Sequence, residues 1–348
     1  MNLKIKNKTI GENFPVFIIA EISANHGNDF SIAQKTIEAM KEAGADAVKF
    51  QTYTADTITI DSVNECFKIK QNTIWDGQIL HKLYEEASMP WEWQPRLKKI
   101  VEDLGMICFS SPFDKTAVDF LEGMAVPAYK IASFEITDIP LIKYVASKGK
   151  PIIISTGVAE LSDIEEAIDA CKKVGNNQIA ILKCTSAYPA AYEEMNLKTM
   201  PDMIKKFGAI IGLSDHTLGI EMPVAAVSLG AKIIEKHFIL DKSIGGPDAS
   251  FSLVPEQFRE MVRAIRNTEK ALGKVTYDLS EKSKKNREFS RSLFVVENIK
   301  KGEILTEKNI RSIRPGFGLA PKYYEEVLGK KAGKDIDRGT PLNWDMLI

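Results

Sequence analysis

Eight short apolar runs recur along the first three-quarters of the chain. They are Val16–Ser23, Ala47–Tyr53, Met106–Phe113, Ala128–Ser133, Pro151–Thr156, Gln178–Ser186, Ala209–Asp215 and Lys232–Phe238. Each is rich in β-branched residues and apolar almost throughout, as expected of strands covered on both faces in a parallel sheet. Helical periodicity fills the spaces between them. Phe30–Ala43 closes at Gly44, Ser162–Val174 opens on Ser162 and Asp163 and closes at Gly175, and Met222–Leu229 precedes Gly230; glycine just past a helix end is a common stop signal. Most runs start 22 to 31 residues after the previous one, the length of one βα unit. Eight such units predict an α/β fold of the (β/α)8 TIM barrel type. The exception is a 59-residue spacing between the second and third starts. It holds Asp56–Ser88, expected as a long insertion carried above the barrel.

Near residue 273 the pattern changes. Val275–Asn286 is charged and polar, a linker by composition. Beyond it come short strand-like pieces at Ser292–Val296, Gly302–Leu305 and Ile310–Ile313, among frequent Gly and Pro. The predicted organisation is a barrel over 1–273, a linker over 274–290 and a small β-rich domain over 291–348.

Composition narrows the function classes. Lys and Arg number 46 against 47 Asp and Glu, a net charge of −1, which argues against a nucleic-acid partner and against a polybasic membrane anchor. No apolar run approaches the roughly 18 residues of a membrane span, and Met1–Lys8 lacks the apolar core of a secretory signal. A cytoplasmic location with no membrane partner is expected. Cys66, Cys108, Cys171 and Cys184 form no close pair and are expected as buried, reduced thiols.

Chemistry in such a barrel sits at the C-terminal ends of the strands. Those ends carry Glu21, Asn25 and His26; Lys49, Gln51 and Tyr53; Ser110, Ser111 and Asp114; Lys130, Ser133 and Glu135; Ser155 and Thr156; Lys183, Thr185, Ser186 and Tyr188; Ser214, Asp215 and His216; and Glu235, Lys236 and His237. Lysines inside apolar strands stand out, because a buried ammonium is costly unless paired. Lys49, Lys130 and Lys183 with Ser111, Ser133, Ser155 and Ser214 suggest a cup for a multiply charged anion such as a phosphate with a carboxylate. Ion pairing with Glu21, Glu135 or Asp215 is the plainer alternative. His216 and His237 end neighbouring strands, close enough to share a metal, though ordinary structural histidines would look the same. His26 suits a cap or a substrate contact, and His81 a surface position. Trp91 and Trp93 suit helix–barrel packing; Trp75 and Asp76 suit stacking on a ligand.

These residues fall in ordered blocks: IIAEISANHG (18–27), GADAVKFQTY (44–53), FSSPF (109–113), PAYKIAS (127–133), STG (155–157), LKCTSAYP (182–189), IGLSDHT (211–217), EKHF (235–238) and GGPD (245–248), then RSL (291–293), IKKGE (299–303) and RPGFG (314–318). Across nearly its whole length the chain resembles the sialic acid synthase family, which condenses phosphoenolpyruvate with an acylamino sugar. That resemblance implies a TIM barrel followed by an antifreeze-like (SAF) domain. Lys-Phe-Gln-Thr-Tyr at 49–53, Ile-Trp-Asp at 74–76, Leu-Tyr-Glu at 83–85 and Cys-Thr-Ser at 184–186 resemble the branch that takes 2,4-diacetamido-2,4,6-trideoxy-L-altrose. Relatives using N-acetylmannosamine tend to read Asn at the place of Ser186.

The resemblance also implies roles. His216 and His237 would hold a divalent metal, Mn2+ or Mg2+. Lys49, Ser111, Lys130, Ser133, Ser155 and Ser214 would cradle phosphoenolpyruvate, with Ser186 near its phosphate. Glu21, Glu135 and Asp248 would be the catalytic carboxylates, with Gln51 and Tyr188 beside them on the sugar side. Arg314 would be offered by the small domain to the partner subunit of a domain-swapped homodimer. A 6-deoxy sugar needs an apolar contact, for which Phe50 or Phe134 is expected. Three alternatives stand beside this reading. One is the same reaction yielding N-acetylneuraminate or legionaminate. The second is a metal-dependent barrel lyase or hydrolase, which needs a third protein ligand near the histidines. The third is a carbohydrate- or ice-binding protein.

Overall fold

A computed structural model describes residues 1–70 and 76–348. Two compact units are present, Met1–Gly273 and Lys274–Ile348. The first opens with a hairpin absent from the sequence reading, β1 (Asn2–Ile5) and β2 (Lys8–Gly11). Eight parallel strands then close into a barrel: β3 (Phe17–Glu21), β4 (Ala47–Thr52), β5 (Ile107–Pro112), β6 (Tyr129–Ile131), β7 (Ile152–Ser155), β8 (Ile179–Cys184), β9 (Ile210–Asp215) and β10 (Ile233–His237), with β10 returning to β3. All eight apolar runs are barrel strands.

Side chains alternate along each strand, and two apolar layers result. Phe17, Ile19, Ala47, Ile107, Phe109, Ile153, Leu182 and Ile233 fill the barrel interior, where Leu3, Ile5 and Ile10 of the hairpin join them. The hairpin therefore plugs the N-terminal end. Ile18, Val48, Phe50, Tyr129, Ile131, Ile154, Ile181, Leu213 and Ile234 face outward into the layer shared with the helices. Each fully buried Ile or Phe contributes roughly 2 kcal/mol, so both layers hold the strands in one register.

The helices begin and end on local chemistry. Phe30–Glu42 is capped by Asp29, whose carboxylate accepts the Ser31 N–H at 2.7 Å, and it stops at Gly44, which adopts φ +95°. Leu161–Lys173 starts one residue before expectation, with the Asp163 carboxylate accepting the Glu160 N–H at 2.8 Å. The third expected helix spans Glu221–Ser228. Pro255–Leu272 closes the ring through Arg266, which reaches Asp46 at 3.2 Å and the Val16 carbonyl at 2.9 Å. Trp91 packs on Phe120 and Trp93 on Phe30, at centroid distances of 4.7 and 5.7 Å. Among the described residues the insertion carries the α-helices Ala55–Ile58 and Leu80–Ala87. Trp75 lies outside the described residues. Cys108, Cys171 and Cys184 are buried, but Cys66, in the polar insertion, is exposed.

In the second unit, β11 (Ser292–Val295) pairs antiparallel with β12 (Ile310–Ile313). Gly302–Leu305 forms no strand; its Ile304 makes a single bridge to Lys331. Leu293, Val295, Ile299, Leu305, Ile310, Val327, Ile336 and Leu342 form its core. The stretch expected as linker contains a short helix, Glu281–Asn286, and Gly316 N–H donates to the Glu288 carbonyl at 2.8 Å, so its end belongs to this unit.

Candidate active site

The alternation that fills the interior with apolar residues places charged ones one layer higher. Continuing inward in steps of two, β3 reaches Glu21, β4 Lys49 and Gln51, β5 Ser111, β6 Lys130, β7 Ser155, β8 Cys184, β9 Ser214 and β10 Glu235 and His237. Lys49 is opposite Glu21 in register, Gln51 opposite Ser111, Ser214 opposite Glu235, and His237 opposite Glu21.

Ion pairing binds this layer together. Lys49 Nζ lies 2.7 Å from Glu21 Oε2 and 3.4 Å from Glu235 Oε1, and its ammonium points to Ser111 Oγ at 3.4 Å. Lys130 Nζ lies 3.9 Å from the same Glu235 oxygen and donates to the Ile131 carbonyl at 3.0 Å. The Ser214 hydroxyl donates to Glu235 Oε1 at 2.9 Å. All six side chains are buried. Cup and ion pairs therefore coexist, with Glu235 at the centre. Glu235 stands at its strand end in the sequence, where nothing beside it marks this role. Its place follows from His237: two residues apart on one strand, both must face the same side.

The electrostatics follow from burial. Lys130 is pulled down to about 8 by burial, against the opposing charge of Glu235. Burial also lifts Glu21 to about 7, although Lys49 opposes it, and lifts Glu135 to about 7, although Lys130 opposes it. Glu235 is pushed up by burial, but Lys130, Lys49 and the Ser214 hydroxyl outweigh this and hold it below its ordinary value. Glu21 Oε1, Glu135 Oε2, Ser155 Oγ, Glu235 Oε2 and His237 Nδ1 are buried with no hydrogen-bond partner among the described residues. Buried polar atoms are normally paired, so this cluster marks a surface shaped for a polar ligand.

Ser133 and Ser186 meet beside the cup. Gly157 N–H donates to Ser133 Oγ at 3.0 Å, and a Cβ on Gly157 would lie 2.0 Å from Ser186 Oγ and 2.8 Å from Ser133 Oγ. Only glycine lets these hydroxyls come so near the backbone. The imidazoles of His216 and His237 stand 5.3 Å apart between centroids, with Phe251 against both at 5.9 and 4.9 Å. His216 Nδ1 faces the Thr185 carbonyl at 3.0 Å, an arrangement that turns Nε2 outward as a ligand. Burial, then the neighbouring His216, hold His237 well below its ordinary value, so it is the neutral imidazole that a metal requires. Asp248 Oδ2 lies 3.6 Å from His237 Nδ1, and the Tyr188 ring 4.6 Å from that of His216. Two nitrogens on adjacent strands fit an open metal site. No group of three His, Cys, Asp or Glu suited to a metal occurs among the described residues.

Three placements differ from expectation, those of Lys183, Phe50 and Asp215. Lys183 alternates with the inward Leu182 and Cys184, so it faces outward; its ammonium donates to the Cys184 carbonyl at 2.8 Å in a cavity between the barrel and the helices. Phe50 is fully buried in the outer layer, facing the helices and not the cup. Phe134, beside Ser133, is 62% exposed. Asp215 pairs with Lys236 in the outer layer, not with the cup lysines. His26 is buried and neutral, lowered to about 4 by burial, and its Nδ1 accepts the Asn28 N–H at 3.1 Å. His81 meets Asp56 at 2.9 Å on the insertion. Arg314 follows β12 in the second unit and is exposed.

A (β/α)8 barrel that gathers buried lysines, hydroxyls and a histidine pair at the C-terminal ends of its strands has the layout of a barrel enzyme with its chemistry at that mouth. The NeuB family model matches residues 36–277 and a SAF domain matches 290–348. The chain belongs to the NeuB family. It is 50% identical over 327 residues to a pseudaminic acid synthase of Campylobacter jejuni, covering 94% of this chain and 95% of that one. It is 47% identical over 332 residues to a pseudaminic acid synthase of Helicobacter pylori, covering 95% and 97%. The crystal structure of spore coat polysaccharide biosynthesis protein SpsE from Bacillus subtilis is 38% identical, covers 100% of this chain and 99% of its own, and superposes with a TM-score of 0.68.

Proposed function

We propose that the chain is a pseudaminic acid synthase, a transferase that condenses phosphoenolpyruvate with 2,4-diacetamido-2,4,6-trideoxy-L-altrose and water and releases phosphate. The observation that carries the reading is the cup: two buried lysines, Lys49 and Lys130, ringed by hydroxyls and facing His216 and His237. The relatives named above support the choice of sugar.

In this reading Lys49 and Lys130 supply point charge to the phosphate and carboxylate of phosphoenolpyruvate. Ser111, Ser133, Ser155, Ser186 and Ser214 add hydrogen bonds that fix its orientation. A divalent metal, Mn2+ or Mg2+, held by His216 and His237 would supply Lewis acidity toward the sugar's aldehyde oxygen. The C2–C3 π electrons of phosphoenolpyruvate form a bond from C3 to C1 of the open-chain sugar, the C1–O π bond breaks, the C1 oxygen takes up a proton to become a hydroxyl, and C2 is left with positive character. Water adds at C2, and Glu21 and Glu135, both lifted to about 7, are poised to take its proton. The C2–O bond to the phosphate then breaks, the new C2 hydroxyl gives up its proton to the departing phosphate, and C2 becomes a ketone. Gln51, Tyr188 and Asp248 flank the sugar. The chain works in the cytoplasm as a domain-swapped homodimer, with Arg314 of one subunit offered to the partner's barrel. Among the described residues no helix is long and apolar enough to cross a membrane.

The test is phosphate release from phosphoenolpyruvate with Mn2+, in separate reactions with the altrose sugar and with N-acetylmannosamine. Release with the altrose sugar alone is expected. Release with N-acetylmannosamine alone would overturn the substrate assignment and keep the mechanism.

A further inference from the structure

The insertion between β4 and β5 brings an aromatic side chain to the mouth that the assignment above does not use. Tyr53, one residue past β4, is buried, with its ring edge-on to Phe113 at 5.1 Å and to Tyr84 at 5.7 Å. Tyr84 belongs to the helix Leu80–Ala87 and is half-buried. That helix is held to the barrel from several directions. The Asn28 amide donates to the Glu86 carbonyl at 3.1 Å, Leu83 is buried, and His81 meets Asp56 of the neighbouring helix at 2.9 Å. Tyr84 is thus a positioned residue, although it comes from the least regular part of the chain.

Its surroundings are those of the site. Burial raises the Tyr84 phenol above its ordinary value and the charge of Glu135 adds to this, so that carboxylate is within electrostatic reach. Tyr53 is raised by burial and then by Asp248, Tyr84 and Glu21. All three of those carboxylates belong to the candidate site. Held protonated, the Tyr84 phenol is a hydrogen-bond donor throughout the neutral pH range. Its hydroxyl makes no hydrogen bond among the described residues. Ring packing against Tyr53 would be served equally by phenylalanine; the hydroxyl is the part that packing does not explain.

We propose that Tyr84 reads the acylamino sugar, its phenol donating a hydrogen bond to an acyl carbonyl oxygen on the Glu135 side of the cup. The insertion then takes part in substrate recognition through the helix that carries this residue. The proposal rests on the reading of the barrel mouth as an acylamino-sugar site.

Tyr84→Phe separates the two roles, because it keeps the ring and removes only the hydroxyl. Steady-state kinetics are measured with phosphoenolpyruvate saturating and sugar varied, then with the roles exchanged. The sugar is whichever of the altrose sugar and N-acetylmannosamine the wild type converts. The expected result is a rise of about tenfold in the sugar KM, a phosphoenolpyruvate KM within about twofold of wild type, and an unchanged melting temperature. An unchanged sugar KM, or equal rises in both KM values, overturns the proposal. Conversion of N-acetylmannosamine alone by the wild type overturns the proposed product and leaves the Tyr84 prediction to be decided on that sugar. A wild type that converts neither sugar overturns both.

Discussion

Replacing Glu235 by Gln is the sharpest probe of the cup, because one carboxylate oxygen serves both lysines. Lys49 keeps its contact with Glu21 at 2.7 Å, but Lys130 has no other carboxylate within 4.0 Å among the described residues. At 3.9 Å and an effective dielectric constant of about 20, the lost attraction is about 4 kcal/mol. At 1.36 kcal/mol per tenfold, that is on the order of a thousandfold in the protonation equilibrium of Lys130. Wild-type Lys130 titrates at about 8 and is mostly charged at pH 7. In the variant only on the order of one molecule in a hundred would be charged there. Lysine is the charged form below its pKa, so acidification restores it. Calorimetric titration with phosphoenolpyruvate should show binding weakened tenfold or more at pH 7.5, with the ratio of variant to wild type shrinking steadily toward pH 5.5. Taking the ratio cancels the ligand's own ionisation. A ratio constant across that range would refute the reasoning: Glu235 would then matter for shape and not for the charge on Lys130.

Other consequences are open to test. Glu135, raised to about 7 by burial from an ordinary 4.5, binds its proton more tightly in the folded chain, so its contribution to stability is full below about 4.5 and lost as pH rises through about 7. Glu135→Gln should therefore be more stable than wild type by about 3 kcal/mol at pH 8, a difference that denaturant titrations should see vanish by pH 4.5. Lys183→Met should leave the phosphoenolpyruvate KM within about twofold of wild type, whereas Lys130→Met should raise it more than about tenfold; equal effects would place Lys183 back in the cup. Adding Mn2+ should raise the melting temperature of the wild type, and His216→Ala or His237→Ala should weaken metal binding by more than about a hundredfold, as read by metal analysis after dialysis.

The barrel strands were legible because burial on both faces leaves a nearly unbroken apolar run, as in Ile152–Ser155 or Ile210–Asp215. The same continuity hides which face is which. Position along the strand puts Lys183 and Phe50 beside ligand-facing residues, and only parity separates them. Counting by twos from the interior residues Leu182 and Ala47 sends both outward. The β1–β2 hairpin escaped notice because four-residue strands alternate too briefly to register. The helix carrying Tyr84 sits in a segment broken by a 3-10 turn and an isolated bridge, where no period accumulates. The second unit showed only as a change in composition, since most of its order lies in single bridges and not in ladders.

The plug formed by Leu3, Ile5 and Ile10 bears on the order of events. With one end of the barrel sealed by an apolar layer, the cup is a blind alley, and everything that enters or leaves uses the same mouth. In the proposed reading, a small anion seated on Lys49 and Lys130 would lie at the closed end, and a larger sugar beside His216 and Asp248 would lie in front of it. Queueing of this kind dictates sequence: the deep ligand arrives first and the shallow one second. Initial-rate patterns should then be those of ordered addition, with excess sugar trapping or excluding its partner.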